Sequence, residues 1–147
     1  MYLRAGIFTV QEVLPFVIDR PRGQIKLECK KKNISYRDFV SKIWSGHPVK
    51  MDSLRYQLFK SKEVVCVKCG IEGKFFALEC CKENCTQDNL SYHFNLYGID
   101  KNGAEVLITK DHIIPKSKGG ANHLANMQVM CSPCNQEKGN SLQTTKE

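Results

Sequence analysis

Two Cys-x-x-Cys pairs, Cys66/Cys69 and Cys131/Cys134, constrain this chain more than any other feature. Four thiolates in two such pairs are the ligand set of a structural Zn²⁺, which holds them tetrahedrally. The long insert between the pairs is no obstacle, because closure entropy grows only with the logarithm of loop length. Gly70, directly after Cys69, lets the backbone turn around a metal, so Cys66–Gly70 reads as a zinc knuckle. A metal staple suits a chain of 147 residues, whose core is modest. Cys29, Cys80, Cys81 and Cys85 have poor spacing for a second metal and read as buried free thiols.

The compartment decides whether such pairs bind metal or form disulfides. The opening MYLRAGIFTVQEV lacks a basic segment followed by a long apolar one, so no signal peptide is expected. No run approaches membrane-spanning length. The expectation is a cytoplasmic, reducing setting with no membrane partner, where Cys-x-x-Cys pairs are metal ligands first. The formal charge of +7 and a pI near 9.0 favour an anionic partner, most simply nucleic acid. A merely soluble basic protein is the alternative.

Around the second pair the pattern is unusually definite. Val106–Thr109 is β-rich and delivers Asp111–His112. A polar loop with Gly119–Gly120 follows, and Met127–Met130 then reads as a second strand. Asn135–Lys138 can form a short helix that Gly139 stops. The order is strand, loop, strand, helix. Upstream, Phe75–Leu78, residues 92–97 and residues 104–109 read as strands, with a hairpin turn at Asn102–Gly103.

Residues 1–60 read as a mostly helical region, distinct from a unit at 61–147. Val10–Leu14 is a helical turn ended by Pro15. Ser35 caps a helix whose Tyr36, Phe39, Val40 and Ile43 share a face, with Gly46 as its stop and His47–Pro48 as a turn. Met51–Phe59 is a further apolar pattern, so the region is either a helix-turn-helix or helices packed on the core. Lys30–Lys32 is a solvated face or a phosphate contact. Residues 80–90 are irregular and polar, and the tail after Asn140 is expected to be loose.

Asp111–His112, Asn126, and Asn135 behind a Cys-x-x-Cys together resemble the HNH, or ββα-metal, endonuclease family in a His–Asn–Asn variant. The resemblance implies an α+β fold: a zinc-stapled ββα-metal unit with a mostly helical N-terminal extension. It implies metal-dependent hydrolysis of phosphodiester bonds in DNA, double-stranded first, by one metal and a histidine base. His112 would be the general base, since imidazole exchanges a proton near working pH. Asp111 adjoins it, but neighbours on a strand point to opposite sides, so Asp111 can reach a metal while His112 faces water. Asn135 would be the second metal ligand, and Asn126 would tie the loop and orient His112. Oxygen donors at Asp111 and Asn135 favour Mg²⁺ or Mn²⁺ over Zn²⁺ there. Lys116, Lys118 and Lys138 flank the site and would hold phosphates. His123 is either a loop residue or a DNA contact, and His93 has no assigned role. Two alternatives stand beside this: a zinc-stapled nucleic-acid-binding module without catalysis, and an RNA-directed nuclease. A small nuclease of this kind would fit a phage or a mobile element.

Overall fold

In the computed structural model, residues 2–81 and 91–139 are described. Strands β1 (Tyr2–Thr9), β4 (Phe75–Cys81), β5 (His93–Ile99), β6 (Glu105–His112) and β7 (Met127–Cys131) form a five-stranded sheet in the order β1-β4-β5-β6-β7. Every neighbouring pair is antiparallel. The turn between β5 and β6 is set by Asp100, whose Oδ1 accepts from Asn102 N at 2.8 Å and Ala104 N at 2.9 Å, with Gly103 at φ +81°. The fold is α+β, and five α-helices accompany two antiparallel sheets among the described residues.

The N-terminal region contains more strand than its sequence suggests. β1 is an edge strand of the main sheet, running into α1 (Val10–Val13) through a capping box of Thr9 and Glu12. Pro15 follows in a 3-10 turn, Leu14–Phe16. Helix α2 (Arg22–Lys32) ends at Asn33 in the left-handed conformation, φ +53°. Ser35 caps α3 (Tyr36–Val40), as expected, but the helix stops there. Ser41–Trp44 (β2) and His47–Lys50 (β3) form a hairpin instead of a longer helix. Ser45 and Gly46 both have positive φ, +47° and +82°, which is the two-residue turn that a tight hairpin demands. Gly46 is therefore a hairpin glycine, His47 lies on a strand, and no helix-turn-helix forms across this segment. Trp44 settles the competition. Its ring meets Phe8 at 5.1 Å and Phe94 at 5.0 Å, edge to face, a contact that a continued helix would not make.

Helix α4 (Leu54–Ser61), capped by Ser53, buries Tyr56, Leu58 and Phe59. A single core cluster runs from Val13 through Phe59, Phe76 and Leu96 to Cys134, so residues on both sides of position 60 share one interior. A smaller cluster joins Ile25, Cys29 and Val40. Cys29 is thus a buried free thiol, but Cys80 is not: it is disulfide-bonded. Cys85, the polar stretch around it and the tail after Gly139 lie outside the described residues. No described helix is long and apolar enough to cross a membrane.

Candidate active site

The second half of the sheet ends in the strand, loop, strand, helix unit read from the sequence. β6 and β7 pair with Asp111 opposite Gln128 and His112 opposite Met127. Helix α5 (Ser132–Lys138) follows β7 directly, with Pro133 in its first turn and Gly139 at its end. Side-chain alternation along β6 splits the site into two faces. Thr109 and Asp111 face α5: Asn135 Nδ2 donates to Thr109 Oγ1 at 2.9 Å, and Lys138 Nζ lies 3.2 Å from Asp111 Oδ2. Lys110 and His112 face the other way.

On the His112 face, the ring Nε2 is 3.1 Å from Asn122 Oδ1. Asn122, rather than Asn126, is the ring's hydrogen-bond partner. The Asn126 side chain ties the loop. Its Oδ1 accepts from Ile114 N at 2.9 Å, and its Nδ2 donates to Ile114 O at 3.1 Å and Ala121 O at 2.8 Å. Gly120 is required beside it, because a Cβ there would sit 1.7 Å from Ile114 O. His123 accepts from Ala125 N at 3.3 Å and so caps the next turn. Burial, with Lys116 and Arg55 nearby, pushes the Lys110 ammonium below its ordinary value. Burial and the charge of Arg55 do the same to His93.

On the other face, Asp111 is buried, and Gln128 Nε2 donates to its Oδ2 at 2.9 Å. Lys138 is also buried, at 6% exposure, and donates further to His112 O at 3.0 Å. That placement differs from the expected phosphate contact: its ammonium points into the protein, whereas Lys116 and Lys118 are exposed on the loop. The donors here fit a hard cation in kind. Asp111 offers a carboxylate, and Asn135, with its Nδ2 committed to Thr109, has its amide oxygen to give. Lys138 already supplies one positive charge to the same carboxylate.

The four cysteines converge. Cys66, Cys69, Cys131 and Cys134 bring their Sγ atoms within 4.8 Å of one another, and Cys69 and Cys131 are 3.7 Å apart. A tetrahedron with Zn–S bonds of about 2.3 Å has S···S edges of roughly 3.8 Å, so the cluster fits zinc. Cys66 N donates to Ile71 O at 2.9 Å and Gly70 N to Cys66 O at 3.0 Å, which closes the knuckle. Gly70 has φ +81°. Burial would raise the Cys66 thiol, but N–H groups of Cys69, Cys131 and Lys68 outweigh it and bring it down to about 7. Burial pushes Cys131 up, and pushes Cys134 to about 11. Four thiols this close cannot all ionise without a cation between them.

Residues 100–145 match the family model described as HNH endonuclease. The resemblance read from Asp111–His112, Asn126 and Asn135 therefore holds over the segment that contains β6, its loop, β7 and α5, and it supports a nuclease-type function in general terms. No curated protein and no solved structure matches the chain. Three residues of this HNH segment escaped the sequence reading: Asn122, Gln128 and Thr109. Gln128 was the findable one, since pairing β6 with β7 in antiparallel register places it opposite Asp111.

Proposed function

We propose that the chain is a metal-dependent endonuclease that hydrolyses phosphodiester bonds of DNA, with residues 61–147 as its nuclease unit. The observation that carries this is the division of labour at the end of β6. His112 and Asp111 sit on opposite faces of one strand end, with Asn135 beside the Asp111 face. A binding module has no use for an imidazole presented in this way next to oxygen donors.

The roles follow from the contacts. With Asn122 Oδ1 accepting from His112 Nε2–H, the ring is fixed as the tautomer whose Nδ1 carries the lone pair. That nitrogen takes a proton from the attacking water while the water oxygen bonds to phosphorus and the leaving oxygen departs with the electrons of the P–O bond. Asn126 holds the loop that carries Asn122. Asp111 and Asn135 would hold Mg²⁺ or Mn²⁺, which neutralises charge at the phosphoryl oxygens. Zn²⁺ at the four cysteines is structural. Lys116 and Lys118 reach phosphates from the loop, and a cytoplasmic setting suits the thiolates.

The test is plasmid cleavage by purified protein with and without Mg²⁺ or Mn²⁺. His112→Ala is expected to fold and bind DNA as the parent does, and to cut slower by a factor on the order of 10²–10⁴. Cleavage by this variant at the parent's rate removes His112 from the mechanism, and cleavage of RNA alone replaces the substrate.

A further inference from the structure

A cleft of about 1530 Å³ lies between the N-terminal region and the His112 face of β6. Its walls come from α3, the β2–β3 hairpin and the start of α4 on one side, and from Tyr92, Lys110 and Asn122 on the other. Two observations connect it to the nuclease unit. Asn122 lines it and hydrogen-bonds the His112 ring. Lys110 lines it too, two residues before His112 on the same strand face, roughly 6.6 Å away along the strand.

We propose that this cleft is a binding track for the sugar–phosphate backbone of the nucleic acid, with residues 37–55 forming one wall, so that the N-terminal region is part of the substrate interface. The proposal rests on the nuclease reading above and adds where the strand runs.

Charge is the main argument. Arg37, Lys50, Arg55 and Lys110 line the cleft, and no carboxylate pairs with any of them among the described residues. Asp52, at the cleft floor, is already taken by Arg22 at 3.1 Å and by the Tyr36 hydroxyl. Arg20 is likewise taken by Glu28. That leaves Asp19 and Asp38 as the lining carboxylates without an ion-pair partner among the described residues, against four cations without one. Arg55 is also built in rather than loose: its guanidinium donates to Asn95 Oδ1 at 3.1 Å and to Phe94 O, which fixes it at the wall. Such a surplus of positioned cations is matched by a chain of phosphates. Few rings are offered for stacking, since Tyr92 is already stacked on His47 at 3.9 Å and Tyr56 is buried. The track therefore reads backbone and not bases.

The experiment measures binding of labelled duplex and single-stranded DNA to the full chain without added Mg²⁺ or Mn²⁺, across salt concentrations. Arg37→Gln/Lys50→Gln removes two exposed cations that have no carboxylate partner among the described residues. The proposal expects weaker binding and a salt slope shallower by about 2, one unit for each phosphate that is no longer neutralised. Arg37→Lys/Lys50→Arg is expected to restore both. Lys30→Gln/Lys31→Gln, exposed on α2 and outside the cleft, is expected to bind as the parent does. If the cleft variant keeps the parent's affinity and slope, or if the α2 variant loses as much, the track is wrong while the nuclease reading survives. A parent chain that neither binds nor cuts nucleic acid overturns both.

Discussion

Lys138→Met tests the least expected feature of the site. In the folded chain the Lys138 ammonium lies 3.2 Å from Asp111 Oδ2, and the two side chains are 1% and 7% exposed. Methionine keeps the length of the stem and removes the charge. Asp111 is then left buried with a single neutral donor, Gln128 Nε2 at 2.9 Å, and the His112 carbonyl loses its bond from Lys138. Removing one partner of a buried pair costs about 3–5 kcal/mol, most of it the desolvated charge left behind. With a urea slope on the order of 2 kcal/mol/M, the unfolding midpoint should fall by about 2 M.

Two further arms make the reasoning refutable. Asp111→Asn/Lys138→Met removes both charges, so the double variant should be more stable than Lys138→Met alone. Mn²⁺ should rescue Lys138→Met more than the double variant, because a divalent ion at Asp111 replaces the lost positive charge. At a hundred times its dissociation constant the ion would add about 2.7 kcal/mol. The assay is urea denaturation followed by circular dichroism, with zinc retained and Mn²⁺ absent or present. A Lys138→Met stability within about 0.5 kcal/mol of the parent's, well under the cost of an unpaired buried charge, would falsify the ion-pair account, as would a double variant no better than the single one.

Purified protein should carry about one tightly held zinc per chain, and Cys66→Ser or Cys134→Ser should lose it together with the fold of the nuclease unit, as metal analysis and circular dichroism will show. Zinc should be held less tightly as pH falls, since burial keeps Cys131 and Cys134 protonated in its absence and each ligand must shed a proton to bind. Gly120→Ala forces the loop away from the Ile114 carbonyl, so cleavage should drop while zinc content stays at the parent's level. Asn135→Ala should abolish metal-dependent plasmid cleavage more than it weakens DNA binding, and Asn135→His should move the preferred ion toward Ni²⁺ or Zn²⁺; an alanine variant that cuts as well as the parent in Mg²⁺ removes Asn135 from the ligand set.

How far the sequence carried depended on the range of the forces involved. The pairing of the four cysteines, the β6–β7–α5 order and the Asn102–Gly103 turn were legible because each rests on local spacing or local backbone chemistry. The β2–β3 hairpin was not. Tyr36, Phe39, Val40 and Ile43 have helical spacing, yet Ile43 is 62% exposed while Trp44 is buried among rings from β1 and β5. The choice between helix and hairpin was made by partners far along the chain. The same holds for β1, whose strand character comes from pairing with β4. Within the site, the alternation of Asp111 and His112 followed from strand geometry, but Lys138 looked like any surface lysine of a short helix. Only the packing of α5 on β6 turns it inward.

That packing would give a metal at the four thiolates a role beyond stability. α5 has seven residues, too few to persist as a helix without tertiary support. Its first turn contains Cys134, and Cys131 caps it. The other two ligands stand on a knuckle fastened to β7 by the bond from Val67 N to Val129 O, 2.9 Å. Zinc at the four thiolates would therefore pin the start of α5 to the edge of the sheet. Asn135 and Lys138 lie just beyond that pin, reaching Thr109 and Asp111 on β6. Releasing the metal frees the helix that carries both, so cleavage should fail along with the local fold. Added Mg²⁺ cannot substitute, because it prefers oxygen to thiolate and would not reassemble the pin.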